Sequence, residues 1–361
     1  MTVADNRGLD GPAAQAPGAL ARPFGTGPMP PGKLAFAAGV FALLVVCLCV
    51  PLGKAVAAGF ERVQVPADRA GPAIQAMVWT PCAAPPAVVE LGPYVVRGVS
   101  GCAIPPIGRL PLVVISHGQG GSLLGHHDTA VALADAGFVV VSLNHPGDSF
   151  GDEAAAQRLE VFESRPQDVS RVVTFMLDRW PQRHVIDGDS IGVFGFSRGG
   201  YAALSLAGAV PSTSASAERL CNRWWSLVMP LCRRIRGGDA TLEPAADPRI
   251  KAAVVVDPLN LFDAAGFRNV RVPVQLWASE LGGDGVALAH VEEIRVGLPA
   301  PPEYHVARGA GHFAYLAPCP PALQKSARRI CEDPDGFDRN SWHLRMNAFV
   351  VEFFRRHLQE G

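Results

Sequence analysis

The chain has 361 residues, 48% of them hydrophobic and 18% charged, enough apolar content for one large domain or two small ones. With 32 basic side chains against 33 acidic ones the formal net charge is -1, and no basic run is interleaved with aromatics. That balance excludes a general electrostatic attraction to nucleic acid.

Residues 1–33 are rich in Gly, Pro and Ala and show no apolar periodicity, a composition expected to remain disordered. Residues 34–53, "LAFAAGVFALLVVCLCVPLG", carry no charge and lie between Lys33 and Lys54. The segment 34–57 reads as a signal peptide with a small-residue cleavage pattern at Ala55 and Ala57, or as a transmembrane anchor. Either reading places the remaining body, 58–361, outside the cytoplasm, with membrane contact only through this segment if it is retained.

The cysteines test that placement independently. Two of the eight, Cys47 and Cys49, lie in the apolar segment; the other six fall as the near neighbours Cys82/Cys102, Cys221/Cys232 and Cys319/Cys331. Three short-loop disulfides are expected, on nearness alone, in an oxidising compartment. None of the six has the C-x-x-C spacing of a zinc or redox site.

From Phe60 the body opens with two strand-like runs, "FERVQVP" and "AIQAMVWTP", followed by a Pro- and Cys-rich stretch expected to be a loop. Two apolar, β-branched runs, "LPLVVISHG" and "GFVVVSLNHPG", bracket a helical stretch, "SLLGHHDTAVALADA". The alternation continues with the helix "PQDVSRVVTFMLDRW", the strand "SIGVFGF", the helix "RGGYAALSLAGA" and the strands "IKAAVVVD" and "VPVQLWAS". Continuous apolar strands alternating with helices predict an α/β fold, a mostly parallel sheet covered on both faces. Residues 212–247 break the rhythm and read as a small helical insertion, a cap or lid. Trp224 and Trp225 within it would line a substrate pocket or pack the insertion onto the body. The chain closes on an amphipathic helix, "SWHLRMNAFVVEFFRRHL".

Ser197, in "GVFGFSRGGY", follows a buried-type strand and precedes an Ala-rich helix. A serine that merely caps a helix needs such a turn but has no need of small residues on both sides. Gly195 and Gly199 fit a nucleophile elbow, a turn that exposes the serine Oγ while adjacent backbone avoids collision. The base would be His312, in "ARGAGHFAYLAPC", on a loop after the last strand. His117 and His145 occur too early in the chain for that order, His290 falls in a helix-like run and His305 inside a strand. For the orienting acid, Asp257 ends one strand, Glu280 ends the next and Asp284 follows; pattern leaves all three open. The Gly-rich loop "ISHGQGG" would supply the second half of an oxyanion hole, pairing the Gln119 amide with that of Arg198. It lacks the Lys-Ser/Thr of a phosphate loop and the spacing of a dinucleotide site, and no metal or organic cofactor is called for.

With these residues in hand, the chain resembles the α/β-hydrolases. Within them it is similar to the bacterial group called predicted dienelactone hydrolases and, more distantly, to platelet-activating factor acetylhydrolases. The resemblance covers about 60–358 and is carried by "VVISHGQGG", "LNHPGDS", "GVFGFSRGG", "VVVDPLNLF", "VPVQLWASE", "GAGHFAYLAPC" and "GFDRNSWHLRMNAFVVEFF". The acetylhydrolase likeness implies an acid after the strand that follows the nucleophile helix, hence Asp257. Dienelactone hydrolases proper would place it at Glu280 or Asp284 and use a cysteine nucleophile where this chain has Ser197. The expectation is an extracytoplasmic serine hydrolase of carboxylic esters, short-chain or lipid-like, working through an acyl-serine. A non-catalytic binding protein that keeps the fold is the alternative. Oligomeric state is not set by the sequence.

Overall fold

A computed structural model describes residues 57–221, 230–237 and 242–360. The signal or anchor segment, except Ala57, lies outside the described residues, as do Trp224 and Trp225.

Ten strands form one sheet: β1 (Ala57–Val65), β2 (Ile74–Cys82), β3 (Ala87–Leu91), β4 (Tyr94–Ser100), β5 (Leu110–Ser116), β6 (Val139–Leu143), β7 (Ile186–Phe196), β8 (Ile250–Val256), β9 (Val274–Ser279) and β10 (Glu303–Ala307). Their order is β10-β9-β8-β7-β5-β6-β2-β1-β4-β3. The six strands from β10 to β6 are mutually parallel, and β2 enters antiparallel to β6. Alternate residues of the central strands serve opposite cores, as the pleat requires. In β5, Leu112 and Val114 face the core under α2 (Val161–Asp178), α3 (Arg198–Leu206) and α6 (Leu288–Gly297). Val113 and Ile115 face the core under α1 (His127–Asp135) and the terminal α9 (Arg339–Leu358). Burial on both faces is why these strands read as unbroken apolar runs.

Several elements differ from the sequence reading. The stretch expected as a loop after β2 contains the β3–β4 hairpin, turned at Gly92 with φ 59°. Its Val-rich strands form the sheet edge, where Val88 and Val95 stay exposed, so the pattern lacks a clear buried face. β1 starts at Ala57, one residue inside the segment read as a leader, and Ala57 pairs with Cys82. α1 begins only at His127, after Gly125 has interrupted the run. α2 begins five residues before Pro166, which lies inside the helix, cannot donate to the Phe162 carbonyl and crowds it with its ring.

The three expected disulfides are present, Cys82–Cys102, Cys221–Cys232 and Cys319–Cys331. They point to an extracytoplasmic location. Between α3 and β8, the Cys221–Cys232 bond joins α4 (Thr213–Cys221) to α5 (Pro230–Gly237). Cys221, Leu231, Cys232 and Ile235 are buried in the core shared with α3, which fastens this stretch to the body.

Candidate active site

The carboxyl ends of β5, β7, β8, β9 and β10 deliver the polar groups named above to one edge of the sheet, where open parallel sheets bind ligands. Ser197 lies between β7 and α3 with φ 56° and ψ -116°, backbone that a side-chain-bearing residue rarely adopts. The turn is held by Ser197 N–H donating to the Val256 carbonyl (3.0 Å) and by the Ser197 carbonyl accepting from Leu259 N–H (3.1 Å). Its glycines are sterically required. A Cβ on Gly195 would lie 2.1 Å from the Gly199 carbonyl oxygen, and one on Gly199 would lie 2.0 Å from that of Ser116.

His312 lies in a short helical turn after β10, 2% exposed, its N–H donating to the Gly282 carbonyl (2.8 Å). The Phe196 ring stacks on the imidazole at 4.7 Å, so the residue before Ser197 itself carries the histidine over the elbow. Nδ1 of His312 is 2.6 Å from Asp257 Oδ2, and Asp257 is fully buried. A carboxylate accepts, which assigns the proton to Nδ1 and leaves Nε2 as the basic nitrogen. Asp257 follows β8 directly at φ 42° and also accepts from Ser279 N–H (2.8 Å) and Ser279 Oγ–H (2.7 Å). Those bonds fix the orientation of the carboxylate that His312 meets. Among the described contacts Ser197 Oγ makes no hydrogen bond to His312; such bonds commonly close only on substrate binding.

The other two candidate acids are engaged elsewhere. Glu280 accepts from Arg308 Nη1 (2.7 Å) and Gly309 N–H (2.7 Å), and Asp284 pairs with Arg329. Ser279, one position before Glu280, is a supporting residue that the sequence marks only by its place at the end of β9, close to Asp257.

The loop 118–121 closes as a turn, Gly121 N–H donating to the Gly118 carbonyl (3.2 Å), with Gly120 at φ 60° in its third position as a type II turn requires. A Cβ on Gly118 would lie 3.2 Å from the Ser197 Cβ, which shows how closely this loop approaches Ser197. The Gln119 amide donates to no backbone acceptor among the described residues, and Arg198, first residue of α3, carries one of the unpaired amides of a helix N-terminus. His117 and His145 belong to the buried support of this loop. His145 Nε2 is 2.9 Å from Ser116 Oγ, and its Nδ1 is 3.1 Å from Asp168.

No family model matches the chain, and no curated protein matches it. Among solved structures it is similar to a ferulic acid esterase from Streptomyces cinnamoneus, with a TM-score of 0.58 at 17% identity, over 86% of this chain and 92% of the esterase. The chain has an α/β-hydrolase-type fold. At that identity the likeness establishes architecture, and the chemistry must be argued from the side chains.

One buried histidine beside the site makes a pH prediction. His126 is 2% exposed between the rings of Phe194 (5.3 Å) and Phe196 (5.4 Å). Burial pushes its pKa down to about 4, with Asp128 opposing the shift and His343 adding to it. In the unfolded chain a histidine titrates near 6.5, so between that value and about 4 the unfolded state binds more protons. Stability from this group is therefore complete above pH ~6.5 and is lost as pH falls toward 4, by on the order of 3 kcal/mol. Urea midpoints should drop between pH 7.5 and 4.5, and His126→Gln should flatten that slope; identical slopes would contradict the assignment.

Proposed function

We propose that the chain is a serine hydrolase of carboxylic esters, with Ser197 as nucleophile, His312 as general base and Asp257 as the acid that orients it. The observation that carries this reading is the 2.6 Å bond from His312 Nδ1 to Asp257, beside a serine held at φ 56°. His312 Nε2 takes the Ser197 proton as Oγ attacks the ester carbonyl, and the amides of Gln119 and Arg198 receive the charge that develops on the carbonyl oxygen. The imidazolium then protonates the leaving alcohol. An acyl-serine remains, and water activated by the same histidine hydrolyses it.

Two exposed apolar side chains flank the site. Phe150, 80% exposed, is joined to the oxyanion loop through its N–H to the Gly121 carbonyl (2.7 Å), and Leu281 is joined to the His312 loop through its N–H to the Ala310 carbonyl (3.0 Å). They support an ester with an apolar acyl or aryl portion. An acid directly after β8 is the arrangement implied by the resemblance to acetylhydrolases, a resemblance that also implies a short-chain or lipid-like ester. The disulfide-linked α4 and α5, within 212–247, would form a cap over the entrance. The test is turnover of p-nitrophenyl esters from acetate to decanoate, together with a ferulate ester. Saturable hydrolysis within that set is expected. Folded protein with no turnover of any of them would favour the non-catalytic binding protein.

A further inference from the structure

We propose that Asp148 and Arg165 form a buried positioning pair that holds the two oxyanion amides, those of Gln119 and Arg198, in register; the inference rests on the hydrolase reading above. Both side chains are fully buried, and Arg165 Nε donates to Asp148 Oδ2 at 2.8 Å. The rest of the guanidinium reaches the oxyanion loop: Nη1 donates to the His117 carbonyl (2.7 Å) and Nη2 to the Gly118 carbonyl (2.9 Å).

The second contact has a geometric consequence. The Gly118 carbonyl and the Gln119 N–H belong to one planar peptide unit and point in opposite directions across it. Arg165, together with His117 Nδ1 (2.6 Å) and Gly121 N–H (3.2 Å), holds the oxygen on the protein side and so aims the Gln119 N–H away from itself. Asp148 Oδ2 also accepts from Arg198 Nη1 (3.2 Å), whose residue supplies the other amide, and that same Nη1 donates to the Ala156 carbonyl (2.7 Å). One carboxylate oxygen thus ties the loop after β5 to the first residue of α3. Packing alone would be better served by apolar side chains, because burying an ion pair costs desolvation that its attraction often fails to recover. A planar fork reaching two successive carbonyls provides what an apolar side chain cannot, a fixed peptide orientation.

The test is steady-state hydrolysis of a p-nitrophenyl ester by the full chain, with active sites counted by complete fluorophosphonate titration, alongside inhibition by an alkyl trifluoromethyl ketone. The ketone adds to the serine and places an oxyanion in the hole. Arg165→Lys keeps the charge but loses the fork. It should lower kcat per titrated site by about 10- to 100-fold, leave KM within about threefold, and weaken the ketone by the same factor as kcat. Asp148→Asn should act in the same direction, and carries the test if the lysine variant does not fold. A purely structural role would reduce the yield of titratable sites or the melting temperature and leave kcat per site within about threefold of wild type. That result in both variants overturns the proposal. If wild-type protein hydrolyses no ester and Ser197 takes no label, the hydrolase reading fails and the positioning role with it. Wild-type turnover with unaffected variants removes the positioning role alone.

Discussion

Replacing Ser197 with Ala is expected to lower kcat by about 10⁶-fold, the loss seen when the nucleophile of a Ser-His-Asp unit is removed. The effect is that large because the missing atom forms the covalent bond; orientation and oxyanion stabilisation remain, and they alone sustain only a small residual rate. Fold should persist. Alanine has no larger side chain than serine, and the contacts that hold the turn, to Val256 and Leu259, are made by backbone atoms. The check is kcat on the best p-nitrophenyl ester together with thermal melting. A variant that retains more than about 1% of wild-type activity would remove Ser197 from the mechanism.

The second large effect is expected from Asp257→Asn, about 10⁴-fold in kcat. An amide there can present its NH₂ to His312 Nδ1, which moves the imidazole proton to Nε2, the nitrogen that must accept from Ser197. Ser279, which donates twice to the carboxylate, would also lose an ideal acceptor. Glu280→Gln and Asp284→Asn should stay within about threefold of wild type, because their partners are Arg308, Gly309 and Arg329 and not the His312 imidazole. The four proteins compared under identical conditions decide the acid: a loss of similar size in Asp284→Asn, with Asp257→Asn nearly unaffected, would reverse the assignment.

The architecture was legible because β5, β7 and β8 are buried on both faces, which forces unbroken apolar runs, and because helices recur between them. The elbow was legible for a related reason. Gly195 and Gly199 are demanded by backbone atoms about 2 Å from where a Cβ would be, so steric necessity is written as residue type. The acid was not separable by pattern, since β8 and β9 both end at the same sheet edge and each is followed by a carboxylate. What distinguishes Asp257 is three-dimensional, the pair of donors from Ser279 and the reach of His312. The edge hairpin β3–β4 is not legible in the sequence, because an edge strand with solvent on one side carries little periodic signal. Arg165 and Asp148 are hidden for a different reason: a charged residue on an amphipathic helix or in a loop is expected at the surface, and only tertiary packing encloses these two.

The central claim, that Ser197 is an activated nucleophile, is tested most directly by treating the folded protein with a fluorophosphonate and mapping the adduct by mass spectrometry. Stoichiometric phosphonylation on the peptide containing Ser197, abolished in Ser197→Ala and slowed in Asp257→Asn, is the predicted result. Labelling that persists in Ser197→Ala, or a folded wild-type protein that takes no label, would contradict it.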